Sequence, residues 1–537
     1  MKLRPIHPDA RVFLAALALC IVVALPGAFT RGTYWDATVG NIHQAVFLHE
    51  TGFDYHRLFF EEPQYGYGGA RTYPFSIYPP AQAALMAVVR HPAAWIALNH
   101  LAGFLLAAGC ALTAFRIVRE NFPALDPRLA AAALATNPFF LSQASAINME
   151  ISVLLGGMLG LRAFLRGRAW RAAGWLVAAC WIKQSLLPLI LVLGVAQLLR
   201  ARRWRDVPAA LGFFAAYKGF TAMEIWGAST LHQAGVVDWN MQSQRLLSWR
   251  DIVDFTWITF SRVPDLMLMA FACLIPGIPL LLAAIVAGGL RAPPGLVSRL
   301  RGLRDGLRAR PALVIGAGCA LLALAANLLI KINLPRYVFS AMPGLFLGMV
   351  GMLALLPRRV SSGLLALWAA LNLVNLHGWI PRTVFSPMAE ARGEVPEHLR
   401  ANGFILERSL EWFADERLQA RAARLIEEKY PGRVVVTHWP LMHQFVSPWC
   451  GYVRQPLRVM ASHWHSMGWA GVRHYWHVYG NETARAGVDP KTFLWVWTDN
   501  VFSRPEPSPA GRRTLETLRE GNLKIEFYEY DGWPVAK

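Results

Sequence analysis

The most constraining feature of this 537-residue sequence is a series of long apolar segments, more than the core of a soluble protein requires. Hydrophobic residues make up 55% of the chain and charged residues 16%, against about 25% charged in ordinary soluble domains. Because an apolar stretch of roughly 20 residues can cross the hydrocarbon of a bilayer, the sequence predicts a multi-pass membrane protein. The same composition excludes a disordered chain, a collagen and a disulfide scaffold.

About eleven transmembrane helices are predicted from the apolar segments. The pair 172–182 and 185–199 is interpreted as two helices, because arginine clusters on both sides of the pair are expected in the cytoplasm. The predicted crossings are 12–30, 93–115, 129–145, 150–166, 172–182, 185–199, 207–225, 264–289, 312–330, 337–356 and 360–379.

The distribution of basic residues sets the predicted orientation. Loops assigned to the cytoplasm carry Lys or Arg at one position in three, and loops assigned to the outside at about one in eleven. We therefore expect a cytoplasmic N-terminus, a first outer loop at 31–92 and a periplasmic C-terminal domain. Arg outnumbers Lys 45 to 8, which is typical of a GC-rich bacterial genome, so the expected location is the bacterial inner (plasma) membrane.

The chain divides into two parts with different charge balance. Residues 1–379 hold 33 Lys+Arg and 16 Asp+Glu, whereas residues 380–537 hold 20 and 18. The basic excess thus follows the membrane segments, and we expect no nucleic-acid partner. Helical spacing within 396–429 and apolar runs at Val434–Val436, Phe493–Trp497 and Leu523–Tyr530 predict a small α/β domain. The predicted fold is an all-α polytopic membrane domain at 1–379 with an extracytoplasmic α/β domain at 380–537.

Acidic and polar residues at the predicted outer boundary are the first candidates for chemistry. Asp36 follows the first span by a few residues, where a carboxylate can face an acceptor hydroxyl and a lipid-borne leaving group. Taken alone it can equally be a solvated loop acid or a helix cap. Asn148 and Glu150 lie at the same boundary between two spans. Further polar residues of the first outer loop are candidates for substrate binding: Glu50, Asp54, Arg57 and Arg71.

Cations at membrane depth form the second group of candidates. Lys is scarce, yet Lys183, Lys218 and Lys331 all lie in the predicted outer halves of spans, and Arg336 lies near Lys331. Ionisable residues at this depth are costly and are functional candidates by default, although snorkelling to headgroups is the alternative. A phosphate-linked lipid substrate would require such cations. Arg245 and Arg250 belong to the outer loop 226–263, which we interpret as a lid or a passive surface helix.

Four sequence segments together resemble the GT-C superfamily of membrane glycosyltransferases, which includes protein O-mannosyltransferases and lipid A aminoarabinose transferases. These segments are Asn137–Glu150, Leu161–Arg168, the short span that ends at Trp181–Gln184, and Pro335–Gly344. The resemblance implies inverting transfer of a sugar from a polyprenyl-phosphate carrier on the outer face. It implies that Asp36 is the catalytic acid position, Glu150 the second-loop position, and Lys183 the cation that approaches the donor phosphate. Many relatives carry an acidic pair where this chain has Asp36 alone.

The expected partners are the polyprenyl-phosphate sugar, membrane lipids and a glycan, lipid or protein acceptor. No cofactor is expected, and a divalent metal is an alternative that the sequence does not favour. A polysaccharide polymerase or ligase that uses a polyprenyl-pyrophosphate-linked donor is the alternative function, for which Arg245, Arg250 or His232 would be the sensitive positions. A transporter is disfavoured because the sequence shows no internal repeat.

Overall fold

The computed structural model describes most of the helical part of the chain and the sheet of its C-terminal domain. The described residues are 7–34, 37–58, 76–201, 204, 207–233, 311–329, 341–377, 409–437, 441–461, 492–498, 511–521 and 523–531. Asp36, Arg71, Arg245, Arg250, Lys331 and Arg336 therefore lie outside the described residues, as does the predicted span 264–289.

The described part of the membrane domain is helical. Its first four helices, which include two within the predicted first outer loop, are α1 (Pro8–Val23), α2 (His43–Glu50), α3 (Tyr78–Val89) and α4 (Pro92–Asn121). A central group follows with α5 (Pro127–Ala135), α6 (Pro138–Ser145), α7 (Glu150–Leu165), α8 (Ala169–Ile182) and α9 (Leu187–Arg200). The later helices are α10 (Val207–Gln233), α11 (Pro311–Leu329), α12 (Met342–Leu353) and α13 (Arg358–Val374).

The predicted crossing 129–145 is divided into two helices, α5 and α6, and this differs from the prediction. Asn137 adopts an extended backbone, and its side-chain oxygen accepts hydrogen bonds from the Phe139 and Phe140 N–H groups at 3.1 Å. Pro138 then occupies the first helical position, where its missing N–H costs nothing. A strong N-cap followed by proline thus starts a new helix inside an apolar segment.

The predicted division between α8 and α9 is confirmed. Lys183 has extended backbone angles, and the 3-10 turn Gln184–Leu186 leads directly into α9. α4 packs against α1, α5 and α7, while α7 also packs against α8, so α4 and α7 lie at the centre of this part.

Among the described residues, one helix is both long and apolar enough to cross a membrane, α4 at Pro92–Asn121. Two shorter apolar helical segments are Gln184–Arg200 and Met342–Leu353. The total of eleven crossings stays a prediction.

The C-terminal domain combines α14 (Trp412–Lys429) with a five-stranded mixed sheet, whose strand order is β2-β1-β3-β5-β4. The strands are β1 (Val434–Thr437), β2 (Val459–Ala461), β3 (Phe493–Thr498), β4 (Arg512–Glu520) and β5 (Leu523–Tyr530). β1 pairs in parallel with β2 and β3, and β5 pairs antiparallel with β3 and β4. α14 packs on β4 and β5. The three predicted strands and the α/β class are confirmed, whereas β2 and β4 were not predicted.

Candidate active site

Asp36, the predicted catalytic carboxylate, lies together with Trp35 outside the described residues. The chain on both sides of it is described. The buried segment Arg31–Tyr34 comes before it, and the π-helical turn Ala37–Ile42 comes after it and continues into α2. The contacts of these two flanking segments are described below.

Arg31 fixes the start of this segment to α14 of the C-terminal domain. It forms an ion pair with Glu416, with 3.1 Å between Nη1 and Oε2, and its guanidinium lies 3.6 Å from the centre of the Phe413 ring. The other Glu416 oxygen accepts a 3.1 Å hydrogen bond from the Gly32 backbone N–H. Burial raises the pKa of the Glu416 carboxyl, and the Arg31 charge acts in the opposite direction. The Glu416 carboxylate thus binds two consecutive residues, Arg31 and Gly32.

Thr33 is held by the loop that follows the one-turn helix Leu441–Gln444. Its N–H donates to the Cys450 carbonyl at 2.9 Å, and its own carbonyl accepts from the Tyr452 hydroxyl at 2.9 Å. A Cβ at Gly32 would lie 2.5 Å from the Tyr452 ring, so this close approach requires glycine. Thr33 and Thr38 lie on opposite sides of Asp36 in the sequence, and their hydroxyls are 2.8 Å apart.

Tyr34 completes the attachment and connects it to the membrane helices. Its hydroxyl donates a 2.6 Å hydrogen bond to Asp415 Oδ2, and its ring stacks on Trp412 with 4.8 Å between ring centres. The Trp412 Nε1–H donates in turn to Ser142 Oγ of α6 at 3.1 Å. The first turn of α14 therefore contacts both the Asp36 segment and the helix that precedes Glu150. We call the contacts of Arg31–Tyr34 with Asp415, Glu416, Cys450 and Tyr452 the junction.

A second contact lies between α2 and the C-terminal domain. His43 Nε2 donates to the His443 carbonyl at 2.9 Å and lies 4.0 Å from Cys450 Sγ. Burial lowers the pKa of His43 to about 4 and lowers that of His443 as well, while burial raises the pKa of the Cys450 thiol to about 12. All three groups are neutral at neutral pH, so this cluster is suited to attachment and not to proton transfer.

Glu150 and Lys183, two of the predicted site residues, form a buried ion pair. The Lys183 Nζ contacts Glu150 Oε1, and the two side chains are 8% and 5% exposed. Glu150 is the first residue of α7, where its N–H donates to the Asn148 side-chain oxygen at 3.1 Å. The half-buried Asn148 in turn donates to Gln143 Oε1 at 2.7 Å. The structure thus brings Asn148, Glu150 and Lys183 together.

The end of the first outer loop is hydrogen-bonded to the residues just before Lys183. Ser76 Oγ donates to the Ile182 carbonyl at 2.6 Å, and the Ile77 N–H donates to the Trp181 carbonyl at 2.9 Å. These bonds attach the start of α3 to the last turn of α8, one residue before Lys183. The loop that carries Asp36 is therefore fixed at one end to the C-terminal domain and at the other end beside Lys183.

Sequence reasoning gave no role to Gln184 and Ser185, although both belong to this site. Gln184 is 3% exposed, and neither its amide nitrogen nor its amide oxygen has a hydrogen-bond partner among the described residues. The Ser185 hydroxyl is also buried without such a partner. An unsatisfied buried amide is costly, so Gln184 is a candidate for a hydrogen bond to a substrate. The feature of the sequence that could have indicated Gln184 is its position directly after Lys183 in a short turn.

The remaining described candidates lie on exposed surface. Glu50, Asp54 and Arg57 are exposed at the end of α2 and in the turn beyond it, where Asp54 Oδ1 accepts from the Arg57 N–H at 2.9 Å. Lys218 is exposed on α10. Across the described ranges, no three His, Cys, Asp or Glu side chains are placed to hold a metal ion together.

Two solved structures share the architecture of this chain over nearly its whole length. Both are of ArnT from Cupriavidus metallidurans. The apo structure has a TM-score of 0.50 and 16% identity and covers 98% of this chain and 99% of that chain. The structure of ArnT bound to undecaprenyl phosphate has a TM-score of 0.50 and 15% identity, with coverage of 97% and 98%. No protein-family model matches the chain, and no curated protein matches it by sequence. The chain therefore has the fold of ArnT, in agreement with the resemblance found in its sequence segments.

Proposed function

We propose that this protein is an inverting glycosyltransferase that moves a sugar from a polyprenyl-phosphate-linked donor to a glycan, lipid or protein acceptor. The proposal places the reaction at the outer face of the bacterial inner membrane. The observation that carries it is the buried Lys183–Glu150 pair at the break between α8 and α9, in a fold shared with ArnT. ArnT itself was crystallised with undecaprenyl phosphate, which is the leaving group that this reaction would produce.

In this mechanism Asp36 acts as general base. Its carboxylate takes the proton of the acceptor hydroxyl while the acceptor oxygen forms a bond to the anomeric carbon. The bond from that carbon to the donor phosphate oxygen breaks in the same step, so the anomeric configuration is inverted. A general base at this position contributes on the order of 10²–10⁴-fold to the rate.

Lys183 stabilises the leaving phosphate. Its ammonium is already desolvated and lies at the turn between α8 and α9. Glu150 neutralises this ammonium before the donor binds, and the phosphate then replaces or joins the carboxylate as its partner. Preorganised charge of this kind stabilises a developing anion more than water does. Lys218, Lys331 and Arg336 are further candidate contacts for the phosphate, and the loop with Arg245 and Arg250 is the candidate lid.

The junction gives the C-terminal domain a role in this reaction. Four consecutive residues, Arg31–Tyr34, are held by that domain, and the last of them lies two positions before Asp36. We infer that the domain positions the base against the membrane-embedded donor. Correct placement of reacting groups is worth several kcal/mol, and an error of about 1 Å can cost on the order of a hundredfold in rate.

The test is sugar transfer in proteoliposomes with a panel of labelled polyprenyl-phosphate sugars. Wild type is compared with Asp36→Asn and with a control, Asp126→Asn. Asp126 caps α5 through Arg128, a role that asparagine performs equally well. Release of one sugar by wild type and by the control, but not by Asp36→Asn, is the expected result. A fully active Asp36→Asn enzyme would remove the base from the mechanism. Turnover of pyrophosphate-linked donors alone would instead favour a polymerase or ligase.

A further inference from the structure

A cleft of about 460 Å³ lies between the end of α1, the exposed face of α14 and the loop after Gly451. The Arg31–Glu416 pair forms part of its lining, and none of the donor-site candidates lines it. One wall is formed by the chain that leaves α1, and the other by the C-terminal domain. The charged residues of its lining include Arg417, Arg421, Arg424, Glu427, Arg454 and Glu520.

The cleft carries more positive than negative charge. Arg417, Arg421 and Arg424 lie at helical spacing on one exposed face of α14, and Arg454 is exposed on the adjoining loop. The acidic residues of the cleft are already engaged. Glu416 pairs with Arg31, Glu520 with Arg417, and Glu427 accepts the backbone N–H of Arg454 at 2.6 Å.

Three of these four guanidinium groups have no carboxylate partner among the described residues. Arg421 donates to the Arg519 carbonyl at 3.2 Å. The side chains of Arg424 and Arg454 make no hydrogen bond or ion pair with any described residue. A guanidinium presents several N–H donors in a planar fork that matches a phosphate, so two such groups facing one cleft favour a phosphate-bearing ligand.

The position of the cleft indicates where that phosphate comes from. Pro26, Gly27 and Thr30 form its edge. They follow α1, which ends at Val23, and lie at the outer end of the predicted first crossing. Val22 and Leu25, just before this edge, are 63% and 58% exposed. Apolar side chains exposed on a predicted membrane helix face lipid chains, whereas the arginines lie beyond the point where the helix ends. This places the cleft at the level of lipid headgroups.

We propose that the cleft binds the headgroup of an anionic phospholipid, distinct from the sugar donor, with its acyl chains against Val22 and Leu25. The phosphate contacts Arg424 and Arg454, and the headgroup bridges the end of α1 and α14. Because these two walls also meet at the Arg31–Glu416 pair, the bound lipid strengthens the attachment of the C-terminal domain. This site does not depend on Asp36 or on the proposed transfer reaction.

The experiment uses the full chain in neutral detergent micelles with photoactivatable phosphatidylglycerol, followed by peptide mapping of the label. Label is expected in the segment after α1, in α14 and in the loop that contains Arg454. The variant with Arg424→Gln and Arg454→Gln is expected to bind the lipid about thirtyfold more weakly. Each arginine near an anionic lipid increases the binding affinity by about fivefold. Both side chains are exposed without a described partner, so the variant is expected to fold, and its elution volume and melting temperature verify this.

The controls separate the cleft from other sources of binding. Arg358→Gln with Arg359→Gln removes the same charge from the exposed start of α13 and is expected to leave cleft labelling unchanged. Unlabelled phosphatidylglycerol is expected to compete, whereas phosphatidylcholine, inorganic phosphate and polyprenyl phosphate are not. The proposal is overturned by label confined to other regions, by an equal loss in the control variant, or by equal competition from inorganic phosphate. Equal competition from polyprenyl phosphate would assign the cleft to the donor and also overturn it.

Discussion

The Tyr34 hydroxyl donates a 2.6 Å hydrogen bond to Asp415 Oδ2, and Tyr34 lies two positions before Asp36. Gln419 Nε2 donates to the same oxygen at 2.8 Å, so the buried carboxylate is supported from both sides. The C-terminal domain thus contacts the chain two positions before the candidate base.

Tyr34→Phe is expected to lower kcat by between about ten- and a hundredfold while the KM for the donor stays close to wild type. The ring still stacks on Trp412, but the segment before Asp36 loses its polar attachment. Leaving Asp415 with one donor fewer costs about 1–3 kcal/mol of stability. Transfer kinetics and a thermal melt of the reconstituted enzyme measure the two effects.

Tyr430→Phe is the matched control for this variant. Tyr430 is a half-buried tyrosine at the end of α14, away from the junction. It is expected to leave kcat unchanged. An unchanged kcat in Tyr34→Phe, with the expected loss of stability, would show that the junction is structural and does not position Asp36.

The features that the sequence could predict are those that depend on local pattern. The break at Lys183 was predicted because arginine clusters on both sides required an even number of crossings, and α8 and α9 are indeed separate helices. β5 was predicted from an alternating apolar run. β4 was not, because Arg512–Glu520 is rich in charges, as is common for an edge strand that pairs on one side only.

The junction could not be predicted, because its partners are far apart in the chain. Arg31 and Glu416 are separated by 385 positions, and neither residue type in isolation indicates a buried pair. The chain contains 45 arginines, so the sequence alone does not single out Arg31, which is buried. The Glu150–Lys183 pair was within reach of sequence reasoning because both residues border short outer turns at the same predicted depth.

Lys183→Met and Glu150→Gln are expected to have opposite effects on donor binding. Lys183→Met removes the ammonium, so the affinity for a polyprenyl-phosphate sugar falls by at least tenfold. Glu150→Gln frees the ammonium from its carboxylate, so affinity is retained or increased. Each single change removes one member of a buried ion pair and is expected to destabilise the fold by on the order of 3–5 kcal/mol. Donor binding by the purified variants, corrected for the folded fraction, measures the difference.

The double variant with Glu150→Gln and Lys183→Met controls for stability. It removes both members of the ion pair, so it is expected to melt above either single variant and still to bind donor poorly. If it binds donor as wild type does, Lys183 is a structural residue and the phosphate lies elsewhere.

Gln184→Met is expected to increase stability while it lowers transfer. The amide of Gln184 is buried without a described partner, and methionine has a similar size without its unsatisfied polar atoms. Replacement of such a group stabilises the fold by about 1–3 kcal/mol. If the amide binds substrate, the KM of the donor or acceptor rises at the same time. Gln82→Met, another buried glutamine whose Oε1 lacks a described partner, is the control. A Gln184→Met enzyme with wild-type kinetics would leave the amide without a functional role.

His43 predicts a loss of stability in acid. Its pKa is about 4 in the folded protein because it is buried, against 6.5 for an ordinary histidine, so the unfolded chain binds a proton more readily. The contribution of neutral His43 is complete above about pH 6.5 and decreases by about 1.4 kcal/mol per pH unit as the pH falls toward 4. His443, whose pKa is also lowered by burial, adds to this in the same direction. Unfolding of the detergent-solubilised protein across this range is the measurement.

His43→Gln keeps a side-chain donor for the His443 carbonyl but does not titrate, so its stability is expected to change less with pH. His91→Gln, at an exposed position before α4, is expected to follow wild type, and identical pH profiles for all three proteins would contradict the prediction.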